Sequence, residues 1–132
     1  MLRLRKRAEF LAARRGRRLN YRAFAIEVAP SSRSASGEPV PAKEPRFGFT
    51  ATKKMGNAVM RNRMRRRLKE AVRLVLAETS PPAADFVIIA RAESLSEPFY
   101  RLRHDLAAGL SHSQSSEQGG TRNQRPERRR TD

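Results

Sequence analysis

Apolar residues recur along this chain with two different periods. Phe24, Ile26 and Val28 alternate with Ala25 and Glu27 up to Pro30, which predicts a half-buried strand. Phe47, Phe49 and Ala51 alternate with Gly48, Thr50 and Thr52, predicting a second strand over 46–52. The run DFVIIA at 85–90 is apolar without a break and rich in β-branched residues, as in a strand covered on both faces. Between the last two strands the period lengthens. At about 100° per residue, Met60, Met64, Leu68, Ala71, Val72 and Val75 fall in one stripe, predicting a helix over 58–78. Asn57 stands at its N-cap position and Pro81-Pro82 close the segment behind it. Leu102, Leu106 and Leu110, four residues apart, predict a final helix over 97–110. Residues 4–15 are helix formers throughout, and Gly16 follows as a stop.

The order is therefore helix, strand, strand, helix, strand, helix, and two strands joined through a helix imply a parallel pair in a mixed α/β sandwich. With 132 residues there is room for one domain, placed here at 1–110. Within it, 30–45 (PSSRSASGEPVPAKEP) is rich in Pro, Ser and Gly and reads as a flexible surface loop. Residues 111–132 are polar, with five arginines, and read as a disordered basic tail.

Charge changes the picture from fold to partner. The formal net charge is +16, and it is concentrated in two places. Residues 1–30 carry nine basic and two acidic side chains, and residues 46–79 carry ten and two. Such clustering repels itself and points to a polyanion, nucleic acid ahead of an anionic membrane surface. There is no cysteine, which excludes disulfides, thiolate-bound zinc and thiol catalysis. No apolar run is long enough to span a bilayer, and MLRLRKRAEF lacks the apolar stretch of a secretory signal, so a cytoplasmic protein is expected.

The 58–78 helix carries the sharpest signal. Opposite its apolar stripe lie Asn62, Arg66, Lys69 and Arg73, with Arg65 beside them, Arg61 and Arg67 flanking the stripe and Arg63 on the other side. A helix that is merely solvated mixes signs, so that neighbours four apart attract. Residues 61–69 instead hold six cations and no anion. Arginine's planar fork grips two phosphate oxygens or a phosphate and a base edge, and Asn62 adds a donor and an acceptor. Patterning leaves RNA and DNA unresolved.

Catalysis by the protein's own side chains has little to stand on. His104 and His112 have no nucleophile or carboxylate arranged around them, and Asp85, Glu93, Glu97 and Asp105 form no metal-binding motif. There is no phosphate-binding glycine loop, no helix-turn-helix spacing, and neither the aromatic motif of RRM domains nor the KH loop.

The stretch RFGFTATKKMGNAVMRNRMRRRLKEAV, 46–72, resembles the signature region of the bacterial ribonuclease P protein subunit family. It has the strand, the pair Lys53-Lys54, the turn Gly56-Asn57-Ala58-Val59 and then Arg61-Asn62-Arg63 with further cations. RKRAEF near the N-terminus and DFVIIARA after the central helix resemble other parts of that family. The resemblance implies an α+β fold. Its form is a two-layer α/β sandwich with a mixed four-stranded sheet and a left-handed βαβ crossover, similar to the second domain of ribosomal protein S5. Such a crossover runs against the general right-handed rule.

It further implies a protein that is not catalytic alone. The partner is a catalytic RNA that removes the 5′ leader of precursor tRNA by endonucleolytic hydrolysis, with Mg²⁺ held mainly by the RNA. By motif match Lys53, Lys54, Arg61, Asn62, Arg63, Arg65, Arg66 and Lys69 would face the catalytic RNA. Phe10, Arg14 and Arg15 would line a cleft for the leader, with Phe10 as a stacking aromatic or a core contact. No metal site on the protein alone is implied; Asn62 is a candidate for an outer-sphere contact. Neither DNA nor a membrane is an expected partner. The sequence departs from the family at 14–15, where arginines stand in the region of a second aromatic, and at Glu27, where an aromatic is common. The alternative is a structural, ribosomal-type RNA-binding protein with no processing role, which would share the charge but not the KKMGNAVMRNR block.

Overall fold

The structure is a computed structural model describing residues 1–29, 31–33 and 39–112. The two-residue period does form strands: β3 is Phe24–Ala29, β6 is Arg46–Thr50 and β7 is Asp85–Ala90. Helix α2, Ala58–Glu78, spans the predicted range and joins β6 to β7, which pair in parallel. Strands β1 (Leu2–Arg3) and β2 (Arg17–Asn20) complete a five-stranded sheet in the order β1-β6-β7-β3-β2. β3 is antiparallel to both β7 and β2.

The sheet separates two apolar clusters. On one face Phe24, Ile26, Val28, Phe47, Phe49, Phe86 and Ile88 pack against Met64, Leu68 and Val72 of α2. Leu102, Leu106 and Leu110 of α3 (Phe99–His112) complete that cluster. Each such fully buried leucine contributes about 2 kcal/mol. On the opposite face the short helix α1, Arg7–Arg14, lies over β3 and β7. There Leu4, Ala13, Ala29 and Val87 form a smaller cluster, edged by Phe10 and Ile89. Because β7 is covered from both sides, its sequence is apolar without alternation. The two-layer body of sheet and α2/α3 thus carries a helix on its second face as well.

A polar knot ties α1 to the sheet. Arg46 donates to both oxygens of Asp85 at 2.9 and 2.8 Å and meets Glu9 at 3.0 Å. The other oxygen of Glu9 accepts from the backbone N–H of Arg5 and Lys6, both at 2.9 Å, and so caps the start of α1. Burial pushes the Glu9 carboxyl up. The two backbone bonds and the Arg46 guanidinium outweigh it and leave the group below its ordinary value. The bond to Asp85 does most to hold the Arg46 guanidinium above its own.

Four expectations need correction. The first helix begins at Arg7, not at residue 4, because the chain ahead of it is extended along β6: Leu4 N–H donates to the Phe47 carbonyl at 2.8 Å and its side chain is buried. The sheet has five strands rather than four, the extra one being the two-residue β1 at the edge. The stretch 30–45 is not wholly loop: β4 (Ser31–Arg33) and β5 (Pro39–Pro41) pair as an antiparallel ribbon. Met60 is 40% exposed instead of lying in the buried stripe. It belongs to the first turn of α2 and sits against the Gly56 turn, where a Cβ would meet its sulfur at 2.9 Å. α3 runs to His112, and the tail predicted to be disordered lies, from residue 113, outside the described residues.

A candidate RNA interface on helix α2

The turn before α2 sets up its cationic face. Lys53–Met55 form one 3-10 turn, and Gly56 follows with φ 135°, a conformation that glycine adopts without strain. Asn57 then caps the helix, its side-chain oxygen accepting from Met60 N–H at 2.9 Å. Lys53 and Lys54 are exposed on this turn, immediately ahead of the helix.

Along α2 the cations divide into three groups. Arg63 and Arg66 are exposed, Lys69 is half-buried, and all three lack a hydrogen bond or ion pair among the described residues. Arg61 and Arg65 make short local bonds, Arg61 to the Asn57 carbonyl at 3.4 Å and Arg65 to the Asn62 side-chain oxygen. Arg67 turns the other way. Its guanidinium donates to the carbonyls of Ser94, Leu95 and Glu97 at 2.6, 3.0 and 3.0 Å, beside the Phe99 ring. One of the six cations counted in the sequence therefore holds the β7–α3 connection in place.

Asn62, Arg65, Arg66 and Lys69 do come together. They form one wall of a groove whose other side is Arg3 of β1 and whose floor is Phe49 of β6, enclosing about 270 Å³. The groove continues past Met1, Glu70 and Arg73 into a further 390 Å³. Arg73 is paired there with Glu70. The Arg3 guanidinium carbon lies over the Phe49 ring, 5.2 Å from its centroid. Arg3 stands ahead of the helix predicted over 4–15, in a stretch with no periodicity to give it an element. Its signal, a cation in register with Phe47, appears only once β1 pairs with β6.

The leader-cleft candidates lie on the opposite face. Phe10 is half-buried, and its ring lies against Gly48, where a Cβ would come within 2.6 Å of Phe10 Cζ. Arg14 and Arg15 are exposed at the end of α1. Two further cations share this face at the β2 edge: Arg18 and Arg91 both donate to the Asn20 side chain, at 3.2 and 2.7 Å. Burial, and then the nearby charge of Arg18, push the Arg91 guanidinium below its ordinary value. Glu27 does not fill an aromatic's place with an open cleft; it is buried and paired with Arg18 at 2.9 Å. β2 has no apolar alternation to announce it, so Arg18 and Asn20 were not legible as a strand pair.

No cluster of three or more acidic or histidine side chains suited to a metal ion occurs among the described residues, and the Asn62 oxygen is engaged by Arg65. No described helix is long and apolar enough to cross a membrane. The sequence model of the family described as Ribonuclease P matches residues 1–114. This chain belongs to the ribonuclease P protein family.

Relatives within the ribonuclease P family agree across nearly the whole chain. The ribonuclease P protein component of Brucella suis is 44% identical over 128 residues, covering 96% of this chain and 91% of its own length. That of Ruegeria pomeroyi is 47% identical over 108 residues, covering 81% and 82%. Among solved structures, the RNase P protein from Thermotoga maritima superposes with a TM-score of 0.66 at 25% identity, covering 85% of this chain and 97% of that one. The Staphylococcus aureus RNase P protein gives 0.63 at 23% identity, covering 86% and 95%, a likeness of fold.

Proposed function

We infer that this chain is the protein subunit of ribonuclease P, acting with a catalytic RNA in endonucleolytic removal of the 5′ leader from precursor tRNA. The observation that carries this reading is the cationic face of α2, built from the stretch that bears the family signature. There Arg63, Arg66 and Lys69 make no ion pair among the described residues, and Glu70 beside them is paired with Arg73. A phosphate backbone neutralises such cations and releases counterions as it binds.

In this reading Lys53, Lys54, Arg61, Asn62, Arg63, Arg65, Arg66 and Lys69 face the catalytic RNA. Phe10, Arg14 and Arg15, on the other side of the sheet, lie toward the leader, where the arginines offer phosphate contacts and the half-buried Phe10 ring a surface for a base. Among the described residues no cluster of acidic or histidine side chains would hold Mg²⁺, so no step is assigned to a protein-bound metal. The ion belongs with the RNA, and the protein's share is to bind, orient and neutralise charge. The working compartment is the cytoplasm.

Reconstitution tests this directly. The purified chain alone should leave precursor tRNA intact, and adding it to the matching catalytic RNA at low Mg²⁺ should restore cleavage. Cleavage that survives removal of the RNA would refute the division of labour, and a failure to stimulate the RNA would refute the assignment.

A further inference from the structure

The groove between β1 and α2 has a feature that plain phosphate binding leaves unexplained. Its cations come from two distant parts of the chain, Arg3 and residues 65–69, and the one from β1 lies over an aromatic ring. That ring belongs to Phe49, itself only 7% exposed. The Arg3 side chain is exposed and makes no hydrogen bond or ion pair among the described residues, while its backbone pairs with β6. Its guanidinium is held over the ring by cation–π attraction, and the residue lines the groove. Facing it are Asn62, Arg65, Arg66 and Lys69, which offer an amide and three cations.

We propose that this groove takes one unpaired nucleotide of the catalytic RNA, its base stacked on the outer face of the Arg3 guanidinium and its phosphate held by Arg66 and Lys69. Asn62 is placed to meet an edge of the base or the 2′-OH. A base inside a duplex presents no free face for such stacking, whereas unpaired bases in loops and bulges do. The volume of about 270 Å³ is of the order of a small-ligand site. The proposal rests on the assignment to ribonuclease P. The catalytic RNA is favoured over the leader as source because the groove opens on the α2 face, while Phe10 and Arg14 lie across the sheet.

The absence of cysteine from the chain makes the test clean. Glu70→Cys, at the edge of the groove, provides a single thiol for an azidophenacyl photocrosslinker, used on the full chain bound to its catalytic RNA, with and without precursor tRNA. Crosslinks should map by primer extension to an unpaired nucleotide of the catalytic RNA and should not move to the leader when substrate is added. In parallel, Arg3→Lys keeps the charge and loses the plane. Its affinity for the catalytic RNA should fall about tenfold with an unchanged salt slope. Crosslinks confined to paired segments or to the leader, or an Arg3→Lys affinity within twofold of the wild type, would overturn the inference while leaving the assignment intact. Wild-type binding no tighter than to an unrelated RNA of equal length would overturn both.

Discussion

Arg46 and Asp85 stand opposite each other in the register of β6 and β7, and their side chains meet at two points, 2.8 and 2.9 Å apart. Asp85 is 1% exposed, and Arg46 is the guanidinium that meets it inside the fold. Arg46 in turn reaches Glu9, which makes the pair the anchor of α1 on the sheet. Arg46→Ala leaves a carboxylate buried without its guanidinium and should destabilise the fold by about 3 kcal/mol. A lower urea midpoint at unchanged slope is the expected result; a midpoint equal to the wild type would show the pair to be dispensable.

Glu9 makes this anchor sensitive to acid. Its folded pKa lies below the ordinary 4.5, so its contribution is fully present above that value and is lost as pH falls through the folded pKa. Urea unfolding between pH 6 and pH 3 should show stability declining in the lower half of that range. Glu9→Gln should be less stable at pH 6 and show a shallower decline, converging on the wild type at the acid end.

Gly48 leaves room for Phe10. A valine at 48 would displace the ring, because a Cβ already approaches it and the Leu4 side chain at 3.3 Å blocks the retreat. Gly48→Val should cost about 1–3 kcal/mol and loosen α1. Amide exchange in residues 7–14 should quicken while α2 stays protected; uniform protection would separate Phe10 from Gly48 in solution.

Arg66 and Arg67 are neighbours with opposite roles. Arg67→Ala removes a donor from three carbonyls and should lower stability by about 2 kcal/mol, with little change in the salt dependence of RNA binding. Arg66→Ala with Lys69→Ala should leave the melting curve unchanged. Its slope of log affinity against log salt should shrink by about 1.5, from two lost phosphate contacts. An effect of Arg67→Ala on the salt slope as large as that of the double variant would reverse the assignment.

Much of this arrangement is legible from local pattern. The bounds of α2 follow from Asn57, the apolar stripe and the prolines behind it, and the faces of β3 and β6 follow from simple alternation. The continuous run of β7 reads as a strand buried on both sides, as it is. The face bearing Asn62, Arg65, Arg66 and Lys69 could likewise be placed by angle alone. Met60 could not, because angular position says nothing about whether a turn still overlies the sheet. Nor could β2, where Arg17–Asn20 has the composition of a loop and becomes a strand only by pairing with β3.

The sequence by itself determined α2, α3 and the strands β3, β6 and β7, the family, and the sign and side of the charge, because these depend on the periods of helix and strand and on residue type. Tertiary structure alone decided which cations are free. Arg67 is consumed by carbonyls some thirty positions away, Arg46 by Asp85, and Arg3 is brought from the N-terminus to complete a groove with α2. Each depends on pairing and packing between distant segments, where the distance between charges, and hence their energy, is set by the folded chain rather than by spacing along it.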